Sequence, residues 1–499
     1  MPSLSIGAAG VPSTNKVPAI FLAVVFGAGV NLAGGGTREV LLFGNKTTAG
    51  TAVADTDVST PTTIADSETY WGISSELSLM YEFAALMAPG ATIRGMAVTE
   101  AVGATATATL TIVGAAGGTD TYSLFIHGVQ IDVAITSGDA IATQATNIAN
   151  AINGSLGSRR RLLVTASAAL GVVTITFRQI GTRGNLCTVR QIVGLGITTS
   201  TYTLSGATLS GGTGDDTLTA ALAAVASSTY KYYANAHVNT AQLQLVQTQL
   251  TTMAGPLQGR RQLSVYASRA TLAVATTQVQ TLNENRMQCI WHKNSETYPG
   301  IIAAVWAAYR SVAESRKISA NHDSTDLFPY VLAQPTLSDQ PTDVVKGSAL
   351  DVGLTPLGVD ARTKHAYVVR SITTHSQASS NPDTRTLDTT KVVVPDELAD
   401  RLATALPSAF PNLNIIDDPV DSTDDDLPPG TTTPRKIKSF CAGIARTMQT
   451  EGHIVNFDND YLSWAFNLAP ASPGRVNATM PVSVISGLHQ ISASVLQVA

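Results

Sequence analysis

Residues 229–291 read TYKYYANAHVNTAQLQLVQTQLTTMAGPLQGRRQLSVYASRATLAVATTQVQTLNENRMQCIW. Three runs in it, Thr229–Ala234, Gln262–Ala267 and Arg286–Trp291, carry β-branched and aromatic residues between turn formers and read as strands. Between them, Thr240–Met253 sets Leu243, Val246 and Leu250 on one helical stripe, and Thr271–Leu282 forms a second helix. Helix Leu218–Ser227 precedes the stretch. Helix Tyr298–Ser315, with Ile301, Val305, Ala308 and Val312, follows it. Helix and strand in strict alternation with short loops predict a parallel α/β sheet.

Toward the N-terminus, Glu39–Phe43 and Thr92–Val98 read as strands. They flank a helix over Asp66–Met87 that Pro89-Gly90 stops. Residues 101–208 shift in composition to Ala, Thr, Gly and Val. ATLTIVG, YSLFIHGVQIDVAI, RLLVTASA and GVVTITFRQ read as strands, and Asp139–Ile152 as one helix. This predicts a β-rich inserted module with hinges near Gly103 and Gly211. Ser210–Asp215 is glycine-rich, but no Gly-Lys followed by Ser or Thr makes it a phosphate loop. It reads as a hinge with Asp215, Asp216 or Thr217 capping the next helix. Toward the C-terminus, 323–361 is expected as a long irregular surface loop and Ala366–His375 as a strand. Leu387–Ala405 reads as a helix interrupted at Pro395, 417–434 as an acidic loop, and Arg435–Gly452 as a helix.

Both ends pose the same problem. Val17–Val30, VPAIFLAVVFGAGV, is apolar on both faces; Asn477–Ala499 reads as two short strands broken at Ser486-Gly487. In the last strand Ile491, Ala493 and Val495 fall on one face and Val498 on the other. Apolar strands at chain ends need a partner sheet. The candidate subunit-linking residues are therefore Val17, Ile20, Phe21, Val24, Val25, Ile491, Ala493, Val495 and Val498, adding strands to neighbouring subunits. A signal peptide over 17–33 is the competing reading. Only Lys16 supplies its positive region, Pro18 opens the run, and Gly27 and Gly29 interrupt it. The run is also shorter than the roughly 20 apolar residues of a membrane helix.

The 499 residues are 44% hydrophobic and 13% charged, about half the usual charged share, which suggests a surface largely covered by partners. A net charge of −5 with no long basic run argues against nucleic acid. The one basic cluster, Arg159–Arg161, reads as a solvated loop. Cys187, Cys289 and Cys441 are too sparse for a disulfide framework, which fits a reducing cytoplasm. No GxSxG, HExxH or paired Cys/His ligands occur, so no catalytic, metal or cofactor residue is assigned. The aspartates at 417, 418, 421 and 424–426 lack the glycine and glutamate of an EF-hand. His292, at a strand's C-terminal end, and Cys289 in that strand face opposite sides and read as structural.

Five stretches taken in order resemble contractile phage tail sheath proteins of the Mu-like kind. They are VPAIFLAVVF, LSGGTGDDTLTAALAAV at 209–225, VVRSITTHSQASSNPDTRTLDTTKV at 368–392, TPRKIKSFCAGIARTMQTEGHIVN at 433–456, and the terminal strand pair. The enlarged acidic loop departs from that pattern. The resemblance implies a non-enzymatic structural subunit, found in the virion tail sheath and in the host cytoplasm during assembly. Such subunits form a homo-oligomer of hexameric rings stacked helically around a tail tube protein, with baseplate and tail terminator proteins as further partners. No cofactor, nucleic acid or direct membrane insertion is implied. The implied architecture is α/β (α+β overall): an arm and linking strand at 1–33, a discontinuous core of 34–100 with 209–499, the inserted domain 101–208, and a C-terminal strand arm at 477–499. Contraction would release energy stored at assembly, with opposed charges, as on helices 387–405 and 435–452, or apolar burial as the expected source of new subunit contacts. The alternatives are a secreted surface-layer or adhesin protein and an α/β hydrolase-like enzyme.

Overall fold

The computed structural model describes residues 38–154, 162–328, 337–378, 381–419, 427–470, 474–487 and 489. Arg159–Arg161, all nine candidate linking residues and the aspartates at 421 and 424–426 lie outside them. Among the described helices none is long and apolar enough to cross a membrane.

A nine-stranded mixed sheet organises the chain. We label strands in chain order. β1 is Val40–Gly44, β2 Val58–Ser59, β3 Ile93–Ala97, β4 Thr105–Val113, β5 Asp120–Ile126, β6 Val129–Ile135, β7 Val164–Ala169 and β8 Val172–Ile180. β9 is Val189–Val193, β10 Thr201–Leu204, β11 Tyr232–Asn235, β12 Leu263–Ser268, β13 Met287–Trp291, β14 Thr325–Phe328, β15 Leu354–Val359 and β16 Ala366–Val368. The sheet runs β14-β16-β15-β13-β12-β11-β1-β3-β2. From β3 to β15 every pairing is parallel, as the alternating pattern predicts. β2, β16 and β14 close the two sides antiparallel.

Strand residues alternate between two apolar layers, as pleating requires. Val40, Leu42, Tyr232, Ala234, Val265 and Ile290 face helices Glu76–Met87 and Pro299–Arg316. Leu41, Phe43, Tyr233, Tyr266, Cys289 and Trp291 face helices Thr219–Val225, Thr240–Ala254 and Leu272–Leu282. The Pro299 helix, with proline in its first turn where the missing amide costs nothing, is buried without interruption from Pro299 to Ala308.

The region after β3 forms its own sheets: β10-β4-β8-β7 and β6-β5-β9, with helix Ile141–Gly154 packed on β7 and β6. Burial alternates along β4 and β8, so each has one wet face. Its apolar interior runs without a break into the layer under the Pro299 helix, where Phe177 lies 6.0 Å from Tyr298.

Several expectations need correction. The helix expected over Asp66–Met87 is two, Ile64–Trp71 and Glu76–Met87. Gly72 at φ +84 and Ser74 at φ +59 turn the chain out of the helix, and the Ser75 side chain caps the second one. Residues 323–361 are no single irregular loop: helix Asp343–Asp351 leads into β15, which lies buried between β13 and β16. Pro356 and Gly358 disguise that strand in the sequence; the carbonyl of Pro356 still accepts from Val369 N at 3.0 Å. The strand expected over Ala366–His375 ends at Val368. Helix Thr390–Ala409 continues through Pro395. The ring removes one bond of the ladder, and the burial of Val392, Val393 and Val394 with the ion pairs of Asp396 holds the turn.

Candidate functional site

In open α/β sheets ligands bind at the C-terminal ends of the parallel strands. Here those ends present Asn45 after β1, His237 after β11, Arg269 after β12 and His292 after β13, and residues 182–186 fill the space above them. Arg183, in the 3-10 turn Thr182–Leu186, is buried against two core carboxylates, Glu76 and Asp216. Its Nη2 also donates to Asn45 Oδ1 at 2.9 Å. Glu76 receives the Tyr298 hydroxyl at 2.6 Å and Asn45 N at 2.8 Å. Asp216 receives Ala101 N at 2.6 Å and sits 3.2 Å from His237 Nε2. Burial alone would raise the Asp216 carboxyl; His237 and Arg183 outweigh it and hold it below the usual range. Burial, and after it Arg183, push His237 downward, so it is neutral. Nearby, Arg269 donates to the Leu186 carbonyl and Arg190 Nε to Glu296 Oε1 at 2.7 Å. The ligand position of the fold is thus occupied by the chain's own guanidinium.

The opposite edge has a complementary arrangement. Four adjacent parallel strands are each preceded by a cation: Arg38 before β1, Lys231 before β11, Arg261 before β12 and Arg286 before β13. Helix Thr390–Ala409 answers with Asp396, Glu397 and Asp400. Arg286 holds Asp396 with both nitrogens, at 2.7 and 2.8 Å. Arg261 reaches Asp400 at 2.7 Å and Arg38 reaches Glu397 at 3.0 Å, while Lys231 stands 3.9 Å from Asp396 and 3.8 Å from Asp400. Desolvation opposes ionisation of Asp396, but Arg286, then Lys231 and Arg261, keep it below its ordinary pKa. Asp396, Glu397 and Asp400 are thus each paired with a cation of the same chain, Asp400 with its side chain still 44% exposed. Helix Pro434–Thr450 keeps Arg435, Lys436 and Arg446 on its exposed side.

The third element is the root of the C-terminal arm. Val476–Thr479 pairs antiparallel with Ala465–Leu468, and Ser483–Val484 with Ile454–Val455. Asp460 receives both Ser483 N and its hydroxyl, and Trp464 Nε1 donates to the Pro481 carbonyl at 2.7 Å. His489 then bonds Asp323 through Nδ1 and lies 3.8 Å from Asp388, which Arg370 grips with two bonds of 2.9 Å. The chain is therefore tied to the core up to the point where the candidate strand Ile491–Val498 begins.

His292 and Cys289 are both buried. Neither ring nitrogen of His292 has a partner among the described residues, and burial, helped by Arg269, pushes its pKa down to about 4. Burial pushes the Cys289 thiol up to about 12, so it is no ready nucleophile. All three cysteines are buried and unpaired. Among the described residues no group of three His, Cys, Asp or Glu could hold a metal ion. The sequence reading missed both ion clusters. The cation row is visible in hindsight as TREV, YKYY, GRRQL and NRMQ, a basic residue just ahead of each strand, with PDELAD on the facing helix. Arg183, flanked by Thr182 and Gly184, carries no such signal.

The fold and its sealed edges describe a mixed α/β chain with an attached β-rich region and a C-terminal segment tied to the core as far as His489. No family model matches the chain. The chain is similar to the Mu-like prophage FluMu tail sheath protein of Haemophilus influenzae: 25% identical over 343 residues, covering 68% of this chain and 68% of that protein. The Mu-like tail sheath resemblance read from the sequence is thus met by a curated relative. Solved sheath tail proteins from Desulfitobacterium hafniense and Listeria innocua are each 14% identical. They cover 90% and 92% of this chain and 97% and 96% of theirs, with TM-scores of 0.47 and 0.46. A chain of an anti-feeding prophage baseplate is 8% identical, covering 97% of this chain and 99% of its own, at a TM-score of 0.46.

Proposed function

We propose that this chain is a structural subunit of a contractile tail sheath. The observation that carries the reading is the similarity to the FluMu tail sheath protein over two thirds of both chains. The filling of the strand-end crevice by Arg183 supports a structural role, since the place where an α/β enzyme would hold substrate is taken. In this reading subunits form hexameric rings stacked around a tube and contract to drive it through an envelope. Their partners are the tube, baseplate and terminator proteins. The sheath belongs to the virion and assembles in the host cytoplasm. The core is 34–100 with 209–499, and 101–208 is a peripheral insert. Segments 1–33 and 477–499 are linking arms, with Val17, Ile20, Phe21, Val24, Val25, Ile491, Ala493, Val495 and Val498 joining neighbours' sheets by strand addition. Contraction draws on the free-energy difference between two assembled states rather than on a reaction within the chain. The test is negative-stain microscopy of the purified protein. Long striated tubes are expected; dispersed particles at every concentration and salt tried would overturn the reading.

A further inference from the structure

Helices Thr219–Val225, Thr240–Ala254 and Leu272–Leu282, of seven, fifteen and eleven residues, cover one face of the central sheet. None of these thirty-three positions is Asp, Glu, Lys, Arg or His. At the usual charged share of about 25% they would hold about eight charges. The absence is local: helix Asp343–Asp351, packed in the same layer, carries Asp343, Lys346 and Asp351, and charged residues return at the sheet's N-terminal edge, as Lys231, Arg260, Arg261, Glu284 and Arg286.

Many of the polar groups of this layer are turned to its own backbone, while Gln244 and Gln280 are exposed. Gln247, Gln249 and Gln278 donate to the carbonyls of Leu282, Leu222 and Val238, and Gln242 Oε1 accepts from Leu218 N. The glutamines thereby fasten each helix to its neighbour. Thr248, Thr251, Thr277 and Thr281 are exposed, yet each hydroxyl donates to the carbonyl four residues back, at 2.9, 2.9, 3.1 and 2.7 Å. A helical threonine bonded in this way offers its methyl to solvent. Beside them Ala220, Ala223, Ala241, Ala273 and Val274 are exposed. The outer surface is therefore an uncharged plate of alanine, valine and threonine with the amides of Gln244 and Gln280 among them, less polar than its sequence suggests.

We propose that this plate is a contact between copies of the chain. At 1.5 Å per residue and about 10 Å between helices it measures roughly 500 Å², over half of the about 800 Å² each partner gives to a standard interface, a size that suits one of several contacts in a polymer. The sheet's other face is already taken, since its helix Pro299–Arg316 is buried from Pro299 to Ala308. A plate without charge needs no counter-charge on its partner. It also lets copies of a chain with net charge −5 meet without like charges across the contact. The proposal rests on the tail sheath reading and names one of the surfaces on which that polymer would be built.

The experiment compares the full chain with three double variants, Thr248→Glu/Thr277→Glu, Thr248→Lys/Thr277→Lys and Thr248→Ala/Thr277→Ala. Polymer is measured by pelleting and negative stain; folding is checked by circular dichroism and melting. All three should melt like the parent. Both charged variants should lower the pelleted fraction at least tenfold, whichever the sign, while the alanine variant should assemble normally. Charged variants that polymerise like the parent overturn the proposal. So does an effect of only one sign, which indicates a charged partner. Normal tubes that no longer co-sediment with an added tail tube would assign the plate to the tube and overturn it as well. A parent that never pellets contradicts the tail sheath reading itself, and the copy–copy contact falls with it.

Discussion

At the C-terminal edge of the central sheet one arginine from residues 101–208 neutralises two core carboxylates; at the N-terminal edge three acidic residues of one helix neutralise four core cations. The two edges use opposite charges for the same purpose, and the difference is in redundancy. Arg183 is a single cation shared by Glu76 and Asp216. The other edge is a mesh: Asp396 is shared by Arg286, Lys231 and Arg261, Asp400 gives Lys231 and Arg261 a second partner, and Glu397 holds Arg38. Loss of one member should therefore cost more at the first edge than at the second.

The largest effect is expected for Arg183→Ala. It leaves two buried carboxylates without a guanidinium, and removing one partner from a buried pair costs about 3–5 kcal/mol. Denaturant unfolding measures it, and adding Glu76→Gln with Asp216→Asn should return part of the loss. The same reasoning governs residues 101–208. Replacing them with a short Gly/Ser linker should destabilise the core, and neutralising Glu76 and Asp216 in the same chain should return part of the loss, the rest being the apolar contact of Phe177 with Tyr298. A linker variant as stable as the parent would contradict both the Arg183 ion pairs and the shared apolar layer.

Asp396→Ala should cost less, about 2–3 kcal/mol, because Arg261 and Lys231 keep Asp400 as a partner. Equal losses at the two edges would contradict the redundancy argument. The native pKa of Asp396 lies below its ordinary 3.8. Its contribution is therefore full above about pH 4 and is lost as pH falls through the native value.

Acid acts earlier on the buried histidines. His127, in the β5–β6 turn, and His292, at the C-terminal edge, are each lowered by burial from 6.5 to about 4. The unfolded chain takes up these protons first, so stability is full above pH 6.5 and falls as pH drops toward 4. Between pH 7 and 5 each should lose roughly 2 kcal/mol of stabilisation. Thermal melts across that range, repeated on His292→Asn, should show a shallower slope for the variant; an unchanged slope would remove His292 from the account. The smallest effect belongs to the uncharged plate. Thr248→Ala and Thr277→Ala should each change stability by no more than about 0.5 kcal/mol, as for surface positions outside any network.

The sheet was legible where period-two runs alternate with helical stripes, from Thr229 to Trp291. It was not legible at Leu354–Val359, where Pro356 and Gly358 hide a strand flanked by β13 and β16. Local propensity there is overruled by burial between two neighbours. Helix 390–409 was legible, but its proline suggested a break that packing prevents. The candidate site divides the same way. The cation row follows strand starts and could have been read from periodicity plus charge. The Arg183 contact joins residues separated by 107 positions in the chain, and no spacing announces it. The linking strands rest on the sequence pattern, while the root at His489 is tied to Asp323 and Asp388.

The central claim is that the chain works as a polymer joined through its ends. Sedimentation velocity on the full chain beside a chain ended at Ile485 tests it most directly, with melting curves as the folding control. The account predicts that the full chain sediments as large assemblies, while the shortened chain melts like the parent but remains a monomer. Assemblies of equal size from both would contradict it.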